Sequence, residues 1–223
     1  MCVDDGFEFF GGPHCGMLWQ QVMVMMDLIG NTVGLEMDNS GLLRLEELHL
    51  IEEGIEGYNL NQTDVELLPY SDPKLANISV INLSETSHHT GFYLSSDTKG
   101  SFMNMVIHGF QDEGCQVTCN LTIENMEAEE LTLTHSIIDN ANPLLFQDND
   151  FNIVAPSFSF ANAANNNTVA SGGSSVGFLY GIFGTTTTGA GDPTTLDPWF
   201  LPANYIGAVP DGDDWTAGWT IHL

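Results

Sequence analysis

Short apolar runs recur along the chain roughly every 25–30 residues, and this repeat limits the possible folds more than any other feature. Gly, Asn, Asp and Ser bound the runs, and sustained helical periodicity is scarce, so each run is predicted to be a strand. Stacked repeats bury an apolar face that one repeat cannot bury alone, which predicts a solenoid. The runs are 21–28, 45–53, 77–84, 102–110 and 131–139, with a second set at 6–12, 34–39, 91–96 and 119–125.

A repeat of this length matches one coil of a three-sided parallel β-helix. The predicted fold class is therefore all-β, a right-handed parallel β-helix. If the coils stack, we expect Val24, Val80, Val106 and Ile137 to lie in register. One segment leaves an alternative open, because LEELHLIEEGIEG also fits a helix, although its two glycines interrupt that pattern.

The character of the chain changes near residue 141. Residues 141–223 are rich in Asn, Ser, Thr and aromatic residues and lack the repeat. A long irregular segment within a compact domain is usually functional or covers a surface, and the aromatic residues need apolar surface to cover. We therefore predict β-helix coils over 1–140 and an irregular aromatic wrap over 141–223 that packs on the solenoid and shields the edge of its last coil.

The charge balance excludes several classes of function. Thirty acidic residues face three basic ones, Arg44, Lys74 and Lys99, and the net charge is −27. Such a chain repels nucleic acid and anionic membranes, and it lacks the cationic clamps that phosphate-binding proteins use. No apolar run approaches the length of a transmembrane helix. We expect no nucleic-acid partner and no membrane insertion.

Cysteines and glycosylation sequons together indicate export. The four cysteines predict two disulfides, Cys115 with Cys119 and Cys2 with Cys15, although Cys2 could instead face a partner. The predicted location is extracellular or at the cell surface, with any targeting segment upstream of residue 1. The candidate glycosylation sites are Asn61, Asn77, Asn82, Asn120 and Asn166.

Calcium is the metal that the acidic loops suit best, since hard cations prefer oxygen ligands. The loop DGDD supplies Asp211, Asp213 and Asp214, and QDNDFN at 147–152 is a second candidate; a solvated turn is the simpler interpretation of both. The histidine pair at 88–89 lacks the additional ligands of a transition-metal site.

The sequence assigns no catalytic residue. A polysaccharide lyase needs a basic residue beside its calcium, and Arg44 is more simply explained by a salt bridge to Glu46 or Glu47. Hydrolysis needs paired carboxylates, for which no matching motifs are found. His108 and His135 fall at similar places in successive repeats, which predicts a stacked polar ladder rather than a catalytic base.

Several motifs resemble those of a known group of proteins. DDGFEFFGG (4–12), GIEGYN (54–59), SDPKLANISVINL (71–83) and the ending DPWFLPANYIGAVPDGDDWTAGWT are similar, in order, to the C-terminal half of a widespread bacterial family of secreted or lipid-anchored parallel β-helix proteins. The chain departs from that family at MMDLIGNTVGLEMDNSG, which lacks its acidic, tryptophan-containing element. The resemblance implies a fold and a surface location rather than a reaction.

Two functional hypotheses follow. The first is a non-catalytic extracellular structural, adhesive or assembly protein. Its first coil would expose an apolar end, so we expect a homo-oligomer or filament, or covering by upstream coils. The alternative is a calcium-dependent polysaccharide-binding protein or polysaccharide lyase that uses a lateral groove of the β-helix.

Overall fold

The computed structural model describes residues 72–82, 90–171 and 189–208, together with five strands before residue 72. The described part also contains one α-helix, α1 (Asn120–Glu127), and two 3-10 turns, Ala163–Asn165 and Pro193–Thr195. The strands are β1 (Glu8–Phe10), β2 (Met23–Asp27), β3 (Thr32–Glu36), β4 (Gly41–Leu45), β5 (Glu53–Tyr58), β6 (Lys74–Ala76), β7 (Ile78–Asn82), β8 (Thr90–Leu94), β9 (Gly100–Met103), β10 (Val106–His108), β11 (Glu113–Thr118), β12 (Leu131–Thr134), β13 (Ile137–Asp139), β14 (Asn142–Gln147) and β15 (Thr168–Ala170).

The strands form three sheets that the chain visits in turn. Sheet A has the order β1-β5-β8-β11-β14, sheet B the order β15-β13-β10-β7-β4-β2-β3, and sheet C the order β12-β9-β6. Each complete coil passes from C to B to A, as in β6-β7-β8 and β9-β10-β11. All strand pairs between coils are parallel, and β2 with β3 form an antiparallel pair at one edge of sheet B. The prediction of an all-β parallel β-helix is confirmed.

Two columns of residues, rather than one, run through sheet B. Val80 pairs with Ile107 and Ile107 with Ile138, and this column faces the core. Val106 pairs with Ile137, as predicted, but it is offset from Val80 by one residue. Because a shift of one residue reverses the face, Val106 and Ile137 lie on the outer face.

The expected register is therefore correct in part. Val24 and Val80 both pair with Leu43, so these two share one column. Val106 and Ile137 belong to the adjacent column, which faces outward and is covered by Ile206. The sequence repeat located the strands but did not fix the side that each valine faces.

The core fills the space between the three sheets. Phe92 from sheet A and Phe102 from sheet C meet edge to face, with ring centroids 5.4 Å apart. Leu94, Val117 and Leu133 are also fully buried in the same cluster. Each such side chain contributes roughly 1.5–3 kcal/mol on burial, so stacking of coils supplies the stabilisation that a single coil lacks.

A left-handed residue precedes the sheet B strand in each of four successive coils. These residues are Asn77, Asn104, His135 and Asn166, with φ of 57°, 57°, 53° and 54°. Asparagine adopts this conformation more readily than most residues. The runs 102–110 and 131–139, each predicted as one strand, therefore break at the corner into two strands on different sheets. His135 occupies the corner and His108 lies within β10, so the predicted histidine ladder is wrong.

The segment CNLTIEN, predicted as a strand, forms α1 instead. Its buried residues, Thr122, Ile123, Asn125 and Met126, follow the spacing of one helix face. The Asn125 amide donates to Asp97 Oδ1 at 2.9 Å and to the Thr98 carbonyl at 3.2 Å. The helix is thereby fixed to the turn after β8.

The predicted Cys115–Cys119 disulfide is not formed, and both thiols are free. Cys115 points into the core from β11, whereas Cys119 follows the end of that strand. Four residues of extended chain span about 13 Å, and a disulfide needs Cα atoms within about 7 Å. The two thiols cannot meet while β11 stays in the sheet.

The chain closes the C-terminal end of the coil stack. After β14 it turns back, and Val154 N donates to Phe146 O at 3.0 Å in an antiparallel arrangement. The ring of Phe160 is buried against the core. At the edge of sheet C, Asn167 Nδ2 donates to Leu133 O at 2.6 Å. Edge groups of β14 and β12 thus have partners within the chain, whereas sheet B extends by one more parallel strand, β15.

Residues 189–208, termed the C-terminal strap, lie along the left-handed corner. His135 Nδ1 is 2.7 Å from Gly189 O, and Asn77 Nδ2 donates to Tyr205 O at 2.7 Å. Ile206 and Ala208 are buried against sheet B. The strap thus joins several coils through contacts far apart in sequence.

Candidate functional site

A pocket lies beside the outer face of sheet A. In β8 and β11, Phe92, Leu94, Cys115 and Val117 face the core, which turns Tyr93 outward. The pocket has a volume of about 110 Å³. It is lined by Tyr93, Ser95, Ser96, Thr118, Cys119, Leu121, Asp148, Asn149 and Phe151.

Polar side chains on the outer face of sheet A connect three coils. Thr118 Oγ1 donates to the Tyr93 hydroxyl at 3.3 Å. Gln116 Nε2 donates to Gln147 Oε1 at 2.8 Å, and Gln147 Nε2 donates to the Phe151 carbonyl at 3.0 Å. The first bond joins β8 to β11 at the wall of the pocket, and the other two join β11 to the turn that follows β14.

That turn is a hairpin of residues 147–153 organised by one carboxylate. Asp148 Oδ1 accepts from the backbone N–H groups of Asp150 and Asn152, both at 2.9 Å. The Asn152 amide donates to both carboxylate oxygens of Asp148, and these hydrogen bonds lower the pKa of Asp148. Asp148 is therefore an ionised group whose oxygens are already engaged within its own turn.

The opposite side of the pocket is formed where β11 leads into α1. Cys119 has a φ of 66°, and its Sγ lies 3.0 Å from Thr122 Oγ1. Asn120 N donates to Asn149 Oδ1 at 2.8 Å. The start of α1 and the hairpin thus hold each other across the pocket.

The lining of the pocket is mostly uncharged and polar. It offers hydroxyl, amide and aromatic groups, with one carboxylate and one thiol. Glycoside hydrolysis uses two carboxyl groups, and elimination needs a base. Among the lining residues there is no second carboxylate and no Lys, Arg or His.

A histidine and a buried acid also meet on the outer face of sheet B, outside this pocket. His108 Nδ1 is 3.0 Å from the Asp139 carbonyl and 3.4 Å from Asp139 Oδ2. The Asp139 side chain is fully buried. The pair joins adjacent coils, since His108 and Asp139 are partners in the strand register.

Several predicted sites fall outside the described residues. These are Asp211, Asp213, Asp214, Cys2, Cys15, Asn61 and the histidine pair at 88–89. Calcium binding at 211–214 stays a prediction. The second calcium candidate, 147–152, is the hairpin at the pocket, and within the described ranges no group of three His, Cys, Asp or Glu side chains could hold a metal ion.

The predicted glycosylation sites divide by exposure. Asn77 and Asn82 are buried, and the Asn77 amide donates to the strap, so neither position has room for a glycan in this fold. Asn120 and Asn166 are exposed and stay candidates. Of the basic residues, Lys74 pairs with Asp197 at 3.2 Å, away from the lining of the pocket.

Sequence reasoning missed the pocket. The alternation of GFYLSS carried a signal for Tyr93, because Phe92 and Leu94 flank it on the opposite face. No comparable signal marked Phe151, whose place at the pocket depends on the return of the chain after β14.

Comparison with known families agrees with the architecture. A family model described as a pectate-lyase-like β-helix domain matches residues 1–220. No curated protein matches the chain, and no solved structure does. In the part of the chain that the structure describes, no helix has the length and apolarity needed to cross a membrane.

Proposed function

The chain belongs to the family of pectate-lyase-like β-helix domains, and on this basis we propose that it is a non-catalytic polysaccharide-binding protein. It acts outside the cell as an adhesive module and holds a glycan in the pocket beside sheet A. This proposal joins the adhesive role expected from the sequence with the lateral binding groove of the alternative hypothesis.

The chemistry of the pocket carries the proposal. Sugar rings present an apolar face and a rim of hydroxyl groups. Tyr93 and Phe151 provide aromatic surface for the apolar face, while the exposed Asn149 amide can donate a hydrogen bond to the hydroxyl rim. Because these groups sit on a stacked sheet and a bonded hairpin, little conformational entropy is lost on binding.

The state of Asp148 favours binding without cleavage. A general acid must hold a proton near neutral pH, and a nucleophile must have a free oxygen. The lowered pKa of Asp148 and its bonds within the turn provide neither. The proposal therefore includes no bond-breaking step at this pocket.

The C-terminal end of the coil stack limits where a second subunit could add. Parallel stacking of subunits needs free strand edges of matching direction. At the C-terminal end, the segment after β14 runs antiparallel to it and Phe160 fills the core. The proposal accordingly places no second subunit against the end of sheet A, whereas sheet B continues past β13 with the parallel strand β15.

Affinity electrophoresis tests the proposed function. The purified protein is run through gels containing xylan, a β-glucan, polygalacturonate or alginate, each with calcium and with a chelator. We expect retardation by at least one polymer, and we expect Tyr93→Ala to weaken it at least tenfold. Trp199→Ala is the matched control, because Trp199 is also an exposed aromatic residue but lies outside the pocket.

Product analysis completes this test. After prolonged incubation with each polymer, we expect no new reducing ends and no unsaturated products. Cleavage of any polymer would replace the binding role with an enzymatic one. Full retention by Tyr93→Ala would show that the glycan binds elsewhere.

A further inference from the structure

We propose that Phe151 is a dedicated stacking platform for an uncharged sugar ring, and that the chain retains it at the expense of backbone stability. This inference rests on the proposed function and specifies the class of ligand. It is drawn from the conformation of the hairpin at residues 147–153 and from the charges around the pocket.

The hairpin places Phe151 in an unfavourable backbone conformation. Phe151 N donates to Asp148 O at 3.0 Å and closes a four-residue turn, and Gln147 bridges to Ile153 beyond it. Phe151 itself has a φ of 60°. In hairpins of this kind the left-handed position is typically glycine, and a bulky residue there is strained.

Folding does not explain the phenyl ring. Phe151 is 63% exposed, whereas Phe160 is 1% exposed and fills the core. The hydrogen bond from Gln147 Nε2 reaches the Phe151 backbone carbonyl, which any residue would supply. The strained conformation is therefore not offset by burial or by a side-chain bond.

The position of the phenyl ring at the pocket explains why residue 151 is aromatic. Phe151 lines the same pocket as Tyr93, together with the Asn149 amide and several hydroxyl groups. Strained residues persist where the surrounding structure and a function require them. An exposed aromatic ring beside hydrogen-bonding groups matches the apolar face and polar rim of a pyranose.

The charges at the pocket indicate an uncharged ring. A uronate would meet the ionised Asp148 and find no Lys, Arg or His among the lining residues. A cationic amino sugar would find the Asp148 oxygens already engaged by Asp150 and Asn152. An anionic ring therefore has no counterion among the lining residues, and a cationic ring has only the Asp148 carboxylate, which already accepts four hydrogen bonds from its own turn.

The substitution Phe151→Gly separates the two roles of the residue. Glycine adopts a positive φ without strain, so we expect the melting temperature to stay the same or rise by a few degrees. We expect binding of xylan or β-glucan to fall at least tenfold, as measured by isothermal titration calorimetry. Phe151→Trp keeps an aromatic face and should retain binding.

Ile153→Ala is the matched control, because Ile153 is 78% exposed in the same hairpin but does not line the pocket. It should leave binding unchanged. If Phe151→Gly binds normally while Tyr93→Ala does not, the platform is wrong and the proposed function stands. A marked loss of stability in Phe151→Gly, or preference for polygalacturonate or a deacetylated amino-sugar polymer, would also overturn the inference. If the wild type binds no polymer, the proposed function itself fails.

Discussion

Asn104 and Gly191, 87 positions apart, exchange two hydrogen bonds. Asn104 Nδ2 donates to Gly191 O and Gly191 N donates to Asn104 Oδ1, both at 2.9 Å. Asn104 is fully buried, and its left-handed backbone turns the side chain toward the strap. One corner residue thus makes the tight turn of a coil and also anchors the C-terminal strap.

Replacing Asn104 by alanine should be strongly destabilising. The change leaves the N–H and C=O of buried Gly191 without partners and puts alanine into a left-handed conformation. We expect a loss of about 2–4 kcal/mol in the free energy of unfolding, measured by chemical denaturation. Asn166→Ala is the control, because Asn166 has a similar φ but is exposed. It should cost about 1 kcal/mol, and equal losses in the two variants would contradict the role of the strap.

Gly191→Ala should release the strap without changing the coil. A Cβ atom at this position would lie 2.7 Å from the His135 ring and 2.8 Å from Met103 Sδ. We expect faster hydrogen exchange across residues 189–208 and little change in β9 to β11. Gly189→Asn is the control, since that position is open and left-handed, and asparagine tolerates it. Uniformly faster exchange throughout the protein would instead indicate global destabilisation.

Glu113 should make stability fall as pH rises. Burial and the Asp112 carboxylate raise its pKa above the ordinary 4.5, although a hydrogen bond from Thr90 opposes this. Just above pH 4.5 the folded chain therefore binds more protons than the unfolded chain. At higher pH Glu113 is ionised, and its charge destabilises the fold.

Glu113→Gln should therefore raise the melting temperature at pH 7, and the gain should vanish near pH 4. Thermal melts across this range measure the difference. Glu124→Gln removes one charge from an exposed helical position and controls for the general effect of net charge. A gain for Glu113→Gln that is the same at both pH values would contradict the assignment.

The two described cysteines should differ in reactivity. Burial raises the pKa of the Cys115 thiol, which is inaccessible, whereas Cys119 is partly exposed at the pocket. Alkylation of the native protein should label Cys119 and spare Cys115 until the protein unfolds. Peptide mass spectrometry measures the labelling, and a Cys115–Cys119 cross-link in the native oxidised protein would contradict the register of β11.

The sequence predicted the coil but not its corners. Apolar runs spaced by one repeat identified β7, β9, β10, β12 and β13 as strand regions. The corner residues inside two of these runs were missed, because Asn104 and His135 read as ordinary members of an apolar run. A left-handed conformation is a property of the backbone, and the sequence indicated it only through the spacing of Asn77 and Asn104.

The site was less predictable than the fold. Leu121 and Ile123 alternate with polar residues, so α1 resembled a strand, although packing of Ile123 and Met126 selects a helix. Phe151 lies at a position where glycine would have signalled the turn. The pocket depends on how these two segments meet, which no local pattern encodes.

The reversal of direction after β14 also limits how the protein can change its length. In sheet A a further rung would meet the antiparallel segment that follows β14, and Phe160 already occupies the interior, although sheet B continues by one parallel strand, β15. Growth by duplication is then restricted to inserting entire turns between existing ones, for example between β8 and β9. Longer relatives should carry their additional turns upstream of Phe160 and keep a hairpin like that at residues 147–153.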